Sequence, residues 1–483
     1  MSKVKKEHFI FLGLVILFFL PLFKMEYATD TYAIEMMGFN TFAKGMMQNG
    51  RLITALGFYI FDWLSLNIVS FYYTSFIFSL LCTYIAVYRL YKILSGKMSE
   101  GTSIFLAFFT IVNPLTIEYF LFIEKGFFAF SICMSVLALE GFVRFLRGNR
   151  FFLILSFFAI LLSALTYQTI PAVFLTLSFV FIIIHSKNIK YFLLNSLIAI
   201  AIYGFGMGSD FVFIKLVGKT TRMGANINFS NLAKAFFIIG WPTIFIYIGI
   251  LSLLFLLCII ISKKKYGKLF TKEAFISFLK TVALCALSLC ATYAPFLFVK
   301  PNEVWITFRI VYPLGALLGA IPILLCYKKD KTVLKSNPFK KGMLCGTISM
   351  IVILIIEFAF FQSLIISRHI NNAKDEALCN TIGDKIEDYE AQSGIEIKNI
   401  KIYYDESMTK RNPGVFKIGD CNTRAFSKNW SDVDHMNVIL GRSFTRKKPD
   451  SRIYKEHFYG KNWDSFDSEQ LFFDGDTLHI CVY

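Results

Sequence analysis

The stretch Phe9-Ile10-Phe11-Leu12-Gly13-Leu14-Val15-Ile16-Leu17-Phe18-Phe19-Leu20-Pro21-Leu22-Phe23, preceded by Lys3, Lys5 and Lys6, decides how the chain is read. An apolar run behind a basic N-terminus is either a removable signal or a first membrane span. No small-residue cleavage site follows, so the run is expected to be retained as a span. Working outward, comparable apolar blocks recur down the chain, and crossing a bilayer takes about 20 apolar residues. Spans are expected near 8–23, 67–94, 102–114, 125–146, 150–166, 168–186, 190–208, 236–262, 273–298, 309–327 and 342–366. The third is the shortest, because Asn113 and Pro114 interrupt it.

Composition agrees with that reading. Of 483 residues, 56% are apolar and 17% charged, whereas a soluble domain is about a quarter charged. The formal charge of +17 would point to nucleic acid on a soluble protein. Here the basic residues fall mostly in short loops between apolar blocks, so the partner they imply is the lipid bilayer and not nucleic acid.

Those loops set the orientation, because cytoplasmic loops collect Lys and Arg. With Lys3, Lys5 and Lys6 inside, every second loop should be basic. Arg89, Lys92 and Lys97 come first, then Arg144, Arg147 and Arg150, then Lys187 and Lys190. Lys263, Lys264, Lys265 and Lys268 follow, and finally Lys328, Lys329, Lys331, Lys335, Lys340 and Lys341. Five loops agree, and an odd number of spans puts the C-terminus outside.

The expected outer face is acidic and apolar. Its acids are Glu26, Asp30, Glu35, Asp62, Glu118, Glu124, Asp210 and Glu303. Residues 24–66 read as one or two helices lying on the membrane. Ala33, Met36, Met37, Phe39, Phe42, Met46 and Met47 form an apolar stripe, and residues 52–66 continue as a second apolar helix.

After Ile366 the chain turns polar. Residues 367–394 carry helical spacing, 396–404 alternate like a strand, and 437–440 and 477–483 are further strand candidates. The expected organisation is therefore a transmembrane part over 1–366 and an extracytoplasmic α/β domain over 367–483, about the size of one small domain. Of the cysteines, Cys379, Cys421 and Cys481 belong to this tail, where two of them could pair in an oxidising compartment.

Several chemistries find no motif. There is no Walker loop, no Gly-rich dinucleotide turn, no HExxH and no Cys–His cluster, and the six histidines are scattered. No cofactor and no histidine-based metal site is expected; metal dependence stays open. What remains is the carboxylates. An acid at the edge of a bilayer cavity is partly desolvated, which makes it a better base; otherwise it is a solvated helix cap. Asp30 lies in Tyr27-Ala28-Thr29-Asp30-Thr31-Tyr32, just past the first span, and Glu118 and Glu124 flank residues 119–123 just past the third.

Asp30 and Glu118, with Asn49-Gly50-Arg51, Asn113-Pro114 and Tyr167-Gln168, resemble the glucosyltransferase family of the phage-encoded type II O-antigen serotype-conversion enzymes. The similarity covers most of the membrane part; the segment Glu124-Lys125-Gly126 departs from the aromatic–Asp–Ser pattern expected there. The resemblance implies a multispan, GT-C-like glycosyltransferase of a bacterial inner membrane. The expected fold is thus an α-helical polytopic membrane protein with about eleven spans, the number read from the apolar blocks. It implies transfer of a hexose, usually glucose, from a polyprenyl-phosphate-sugar on the outer leaflet to a surface polysaccharide acceptor, with an acidic residue of the first outer loop at work.

A sugar on a lipid phosphate is already activated, so no nucleotide site is needed. The attacking hydroxyl requires a base, for which Asp30 is the first choice beside Glu118 and Glu124. The leaving lipid phosphate requires cations, for which Arg51 and Arg309 are placed, with Lys125 and Arg222 behind them. Asn49, Tyr167 and Gln168 are candidates for binding sugar hydroxyls. The rival readings are a transporter or flippase of lipid-linked glycans and an O-antigen polymerase. A transporter would place ionisable residues mid-membrane, whereas the spans here are nearly free of charge and Glu140 has Arg144 one turn on.

Overall fold

The computed structural model describes residues 6–186, 188–217, 228–231, 234, 272–304, 307–327, 337–405, 412, 414–417 and 420–483. The expected span 236–262, Arg222, Lys187 and the basic loops around 263–268 and 328–335 lie outside the described residues.

The apolar blocks fold as helices: α1 (Lys6–Phe19), α4 (Ile68–Leu94), α5 (Glu100–Ile111), α7 (Lys125–Leu146), α8 (Phe152–Thr166), α9 (Pro171–His185) and α10 (Ile189–Val217). They are followed by α11 (Lys272–Tyr293), α12 (Phe308–Gly315) and α13 (Leu317–Cys326). Among the described residues five helical stretches are long and apolar enough to cross a membrane: Ile68–Leu94, Glu100–Leu121, Lys125–Leu146, Ile189–Val217 and Ile351–Ser393. Others, including Phe152–Thr166 and Pro171–His185, are apolar but shorter.

Helices α4, α7, α8 and α9 form the centre of the bundle, with α7 packed on each of the others. Seryl hydroxyls tie α7 to α8 where the backbones come close: Ser131 donates to the Ser163 carbonyl at 2.9 Å and Ser156 to the Ala138 carbonyl at 2.9 Å. Glu140, the acid near the end of α7, pairs with Arg144 one turn on, as its spacing suggests, and also with Arg89 at 3.5 Å.

The first outer segment forms two helices, α2 (Thr29–Gln48) and α3 (Leu52–Trp63), packed on each other. Of the expected stripe, Ala33, Phe39 and Met46 are buried, while Met36 and Met37 stay exposed. Gly38, with φ 76°, bends α2 between the exposed Met37 and the buried Phe39. At Asn113-Pro114 the chain breaks as expected. Asn113 caps the break by accepting from the Leu115 N–H at 3.0 Å, and the short α6 (Ile117–Leu121) follows.

The last apolar segment and the polar helix after it form one element, α14 (Asn337–Ser393), continuous through residue 366. Its later turns bury Leu378, Cys379, Ile382 and Ile386 under a four-stranded sheet. The strands are β1 (Asn399–Tyr404), β2 (Thr445–Arg446), β3 (Leu471–Asp474) and β4 (Thr477–Val482), in the order β2-β1-β4-β3. Strand β1 is parallel to β2 and β4, and β3 is antiparallel to β4, with Ile400 opposite Leu478 and Phe473 opposite Leu478 on the other side.

One expectation needs correction. Residues 437–440 are not a strand but the end of helix α15 (Asp432–Leu440). A short apolar run carries no period of its own. The deciding signals are Asp432 and Asp434 in the first turn and Gly441, left-handed at φ 62°, closing the helix. Cys379, Cys421 and Cys481 are all buried and unpaired, each in a different apolar cluster.

Candidate functional site

The site assembles where the end of α1, the start of α2, α6 with the start of α7, the end of α8 and the start of α12 meet the α/β domain. Glu118, on α6, is fully buried. Its Oε2 accepts the Arg309 backbone N–H at 2.6 Å, and its Oε1 lies 3.7 Å from Arg309 Nε. The Arg309 guanidinium also reaches Asp420 Oδ2 at 3.4 Å and stacks on the Phe122 ring at 3.8 Å. This cation is thus held by two carboxylates, one from each part of the chain.

Glu124 and Lys125 sit together at the start of α7, almost wholly removed from solvent. Burial is the main cause that pushes the Glu124 carboxyl above its ordinary range; Asp30 nearby adds to it, and Arg309 and Arg51 offset part. Oε2 of Glu124 has no hydrogen-bond partner among the described residues. Neither has Lys125 Nζ, which lies 3.5 Å from the centroid of the Tyr72 ring. An ammonium against an aromatic face with no acceptor is costly in the interior. An anion arriving beside it would offset that cost.

Asp30 lies in the first turn of α2 and is partly exposed. Its Oδ1 accepts the indole N–H of Trp430 at 3.1 Å, a contact that spans 400 residues of chain. Arg51 stands between α2 and α3, stacked on the Tyr167 ring at 4.3 Å, with its Nε unpartnered among the described residues. Gln168 donates to the Asn49 carbonyl at 2.6 Å and to Asp210 Oδ1 at 3.4 Å, which fixes the loop carrying Arg51. Gly50, at φ +81°, is required there. A Cβ would come within 2.5 Å of Asp210 Oδ1 and 2.7 Å of Gln168 Nε2.

The nine expected residues therefore fall in one neighbourhood, in two groups. Asp30, Glu118 and Arg309 adjoin the α/β domain with Glu124 and Lys125 buried behind them, and Asn49, Arg51, Tyr167 and Gln168 form the flank. Asn49 takes part through its backbone carbonyl and Gln168 through the contacts that brace the loop.

Four further residues belong here; sequence reasoning placed Glu26 only among the outer-face acids and missed the other three. Trp430 and Asp420 come from the α/β domain. Arg368, buried on α14, donates to the Leu121 carbonyl at 3.2 Å and leaves Nε unpartnered among the described residues. It stands directly after the apolar run that ends at Ile366, and a lone Arg in that place was a usable signal. Glu26 completes the group: it binds His369 and accepts from Asn372 at 2.7 Å, tying the end of α1 to α14. Among the described residues no cluster of three or more His, Cys, Asp and Glu is arranged to hold a metal ion. No protein-family model, no curated protein and no solved structure matches this chain.

Proposed function

We propose that this chain is a membrane glycosyltransferase that moves a hexose, glucose in the first instance, from a polyprenyl-phosphate donor to a surface polysaccharide such as O-antigen. It would lie in a bacterial inner membrane with about eleven spans, its N-terminus in the cytoplasm and its α/β domain outside. The carrying observation is the packing of three carboxylates (Asp30, Glu118, Glu124) among four cations (Arg51, Lys125, Arg309, Arg368), several with unpartnered buried nitrogens, beside the apolar helices. Such a site accepts an anion at the edge of an apolar phase.

The chemistry follows from those groups. An acceptor hydroxyl oxygen attacks the anomeric carbon, and its proton passes to Asp30, the most accessible of the three acids. The bond from the anomeric carbon to the phosphate oxygen breaks with its electron pair, inverting the centre. Arg309, Arg51 and Lys125 meet the charge that grows on the departing lipid phosphate. Glu118 serves to hold Arg309.

Asp30→Asn tests this reading. Glycan mass spectrometry of cells carrying the variant is expected to show the unmodified surface polysaccharide at an unchanged protein level. Full modification would remove Asp30 as the base, and an unchanged glycan on deleting the gene would overturn the reading.

One observation favours the transport alternative. Glu357 of α14 is buried within an apolar helix, with Oε2 unpartnered among the described residues. If that alternative holds, Glu357→Gln would stop export of the lipid-linked glycan.

A further inference from the structure

Trp430 differs from the other aromatic rings at the seam. Its polar edge is fixed on Asp30, yet 43% of the residue is exposed. Lys428 stands over one face of the ring, with Nζ 5.2 Å from the centroid. The residue does not dangle: helix α15, which follows it directly, packs on α2, and the His435 ring meets Tyr32 edge-on at 4.7 Å. The indole is therefore held over the start of α2 with its N–H edge on the carboxylate, Lys428 over one face, and 43% of the residue open.

Exposure runs in one direction across the site. Trp430 is open, Asp30 is intermediate, and Glu124 and Lys125 are closed off. A lipid-borne donor reaches the closed, cationic side. The acceptor, arriving from water, meets Trp430 first. A sugar ring presents an apolar C–H face framed by hydroxyls, and an aromatic face beside a carboxylate and an ammonium matches both parts.

Resting on the glycosyltransferase reading above, we infer that the α/β domain contributes the acceptor subsite. There Trp430 stacks on a saccharide ring of the polymer, and its Nε1–H holds the Asp30 carboxylate toward the attacking hydroxyl. Trp430 is thus a binding and positioning residue, and the α/β domain completes the active site instead of merely decorating it.

The test uses the full-length protein in lipid nanodiscs, glucosyl phosphate on a short polyprenyl chain as donor, and polysaccharide extracted from the gene-deleted strain as acceptor. Trp430→Ala is expected to raise the acceptor KM about tenfold or more while leaving the donor KM within about twofold. Trp430→Phe keeps the ring and loses the N–H, so its acceptor KM should hold while kcat falls. A wild-type acceptor KM in Trp430→Ala overturns the inference, and so does an equal rise in both KM values, which marks a general loss of fold. Binding of the same polysaccharide to Asp30→Asn protein, without donor, is expected to persist and to vanish on adding Trp430→Ala. Absence of transfer by the wild-type protein with that binding pattern intact would overturn the glycosyltransferase reading and leave the saccharide subsite standing. Failure of every form to bind the polysaccharide would overturn the subsite.

Discussion

Glu118 holds Arg309 from two directions, accepting its backbone N–H at 2.6 Å while lying 3.7 Å from its guanidinium. The two residues stand 191 positions apart, so the contact clamps α6 to the start of α12 and aims the cation at the seam with the α/β domain.

Breaking that clamp should be costly. Removing one partner of a buried pair leaves the other charge uncompensated, at about 3 kcal/mol, with Asp420 taking up part of it. Glu118→Ala is expected to lower the melting midpoint of the purified protein in detergent and to abolish glycan modification. Glu118→Gln still offers an acceptor to the Arg309 N–H, so its midpoint should fall less. Equal midpoints for the two variants would show that the backbone contact contributes nothing.

The raised Glu124 carboxyl links stability to pH. Its folded-state pKa lies above the unfolded value, so the folded protein holds this proton more tightly. The resulting stabilisation is complete below the ordinary carboxylate range and is lost as pH rises through the raised value. Melting midpoints of wild-type protein minus those of Glu124→Gln are therefore expected to be largest at acid pH and to shrink as pH rises. A difference that does not vary with pH would contradict the burial argument.

Lys125 separates fold from function. A methionine there keeps the length and the contact with Tyr72 but removes an ammonium that lacks an acceptor. Lys125→Met should hold or raise the melting midpoint, while the KM for the polyprenyl-phosphate donor rises about tenfold, the worth of one charge-assisted contact. An unchanged donor KM would make this lysine a packing residue only.

Gly50→Ala probes the flank. The added methyl enters the space of Gln168 and Asp210 and strains a backbone at φ +81°, a cost of about 1–3 kcal/mol. Arg51 moves with the loop, so transfer activity is expected to fall further than the melting midpoint suggests. Normal activity with a lowered midpoint would detach Arg51 from the reaction.

Much of the bundle was legible because apolar blocks and their charged flanks are local signals. Helix α7 begins at Lys125 and ends at Leu146, the bounds that Glu124 and Arg147 set on its apolar block. The expected acids and cations converge for a related reason: alternating helix ends gather at one side of a bundle. What stayed hidden depends on folding at long range. Nothing near Trp430 announces that it will meet Asp30, and Asp420 meets Arg309 from the other side of the same seam. Residues 437–440 carry no strand signal of their own, because three apolar residues fit a strand as well as a helix, and the capping signals at Asp432 and Gly441 decide for the helix.

The unbroken α14 has a mechanical consequence. Its 57 residues make a strut of roughly 85 Å at 1.5 Å per residue, part of it bound to the bundle and part to the sheet. Each residue inserted into such a strut turns everything beyond it by about 100°. The strut therefore works as a phase-setting shaft: its length in residues dictates which face of the sheet domain meets α2. One extra residue would swing Trp430 around the axis and off Asp30, whereas seven, close to two whole turns, would restore the angle and displace the domain along the axis by about 10 Å.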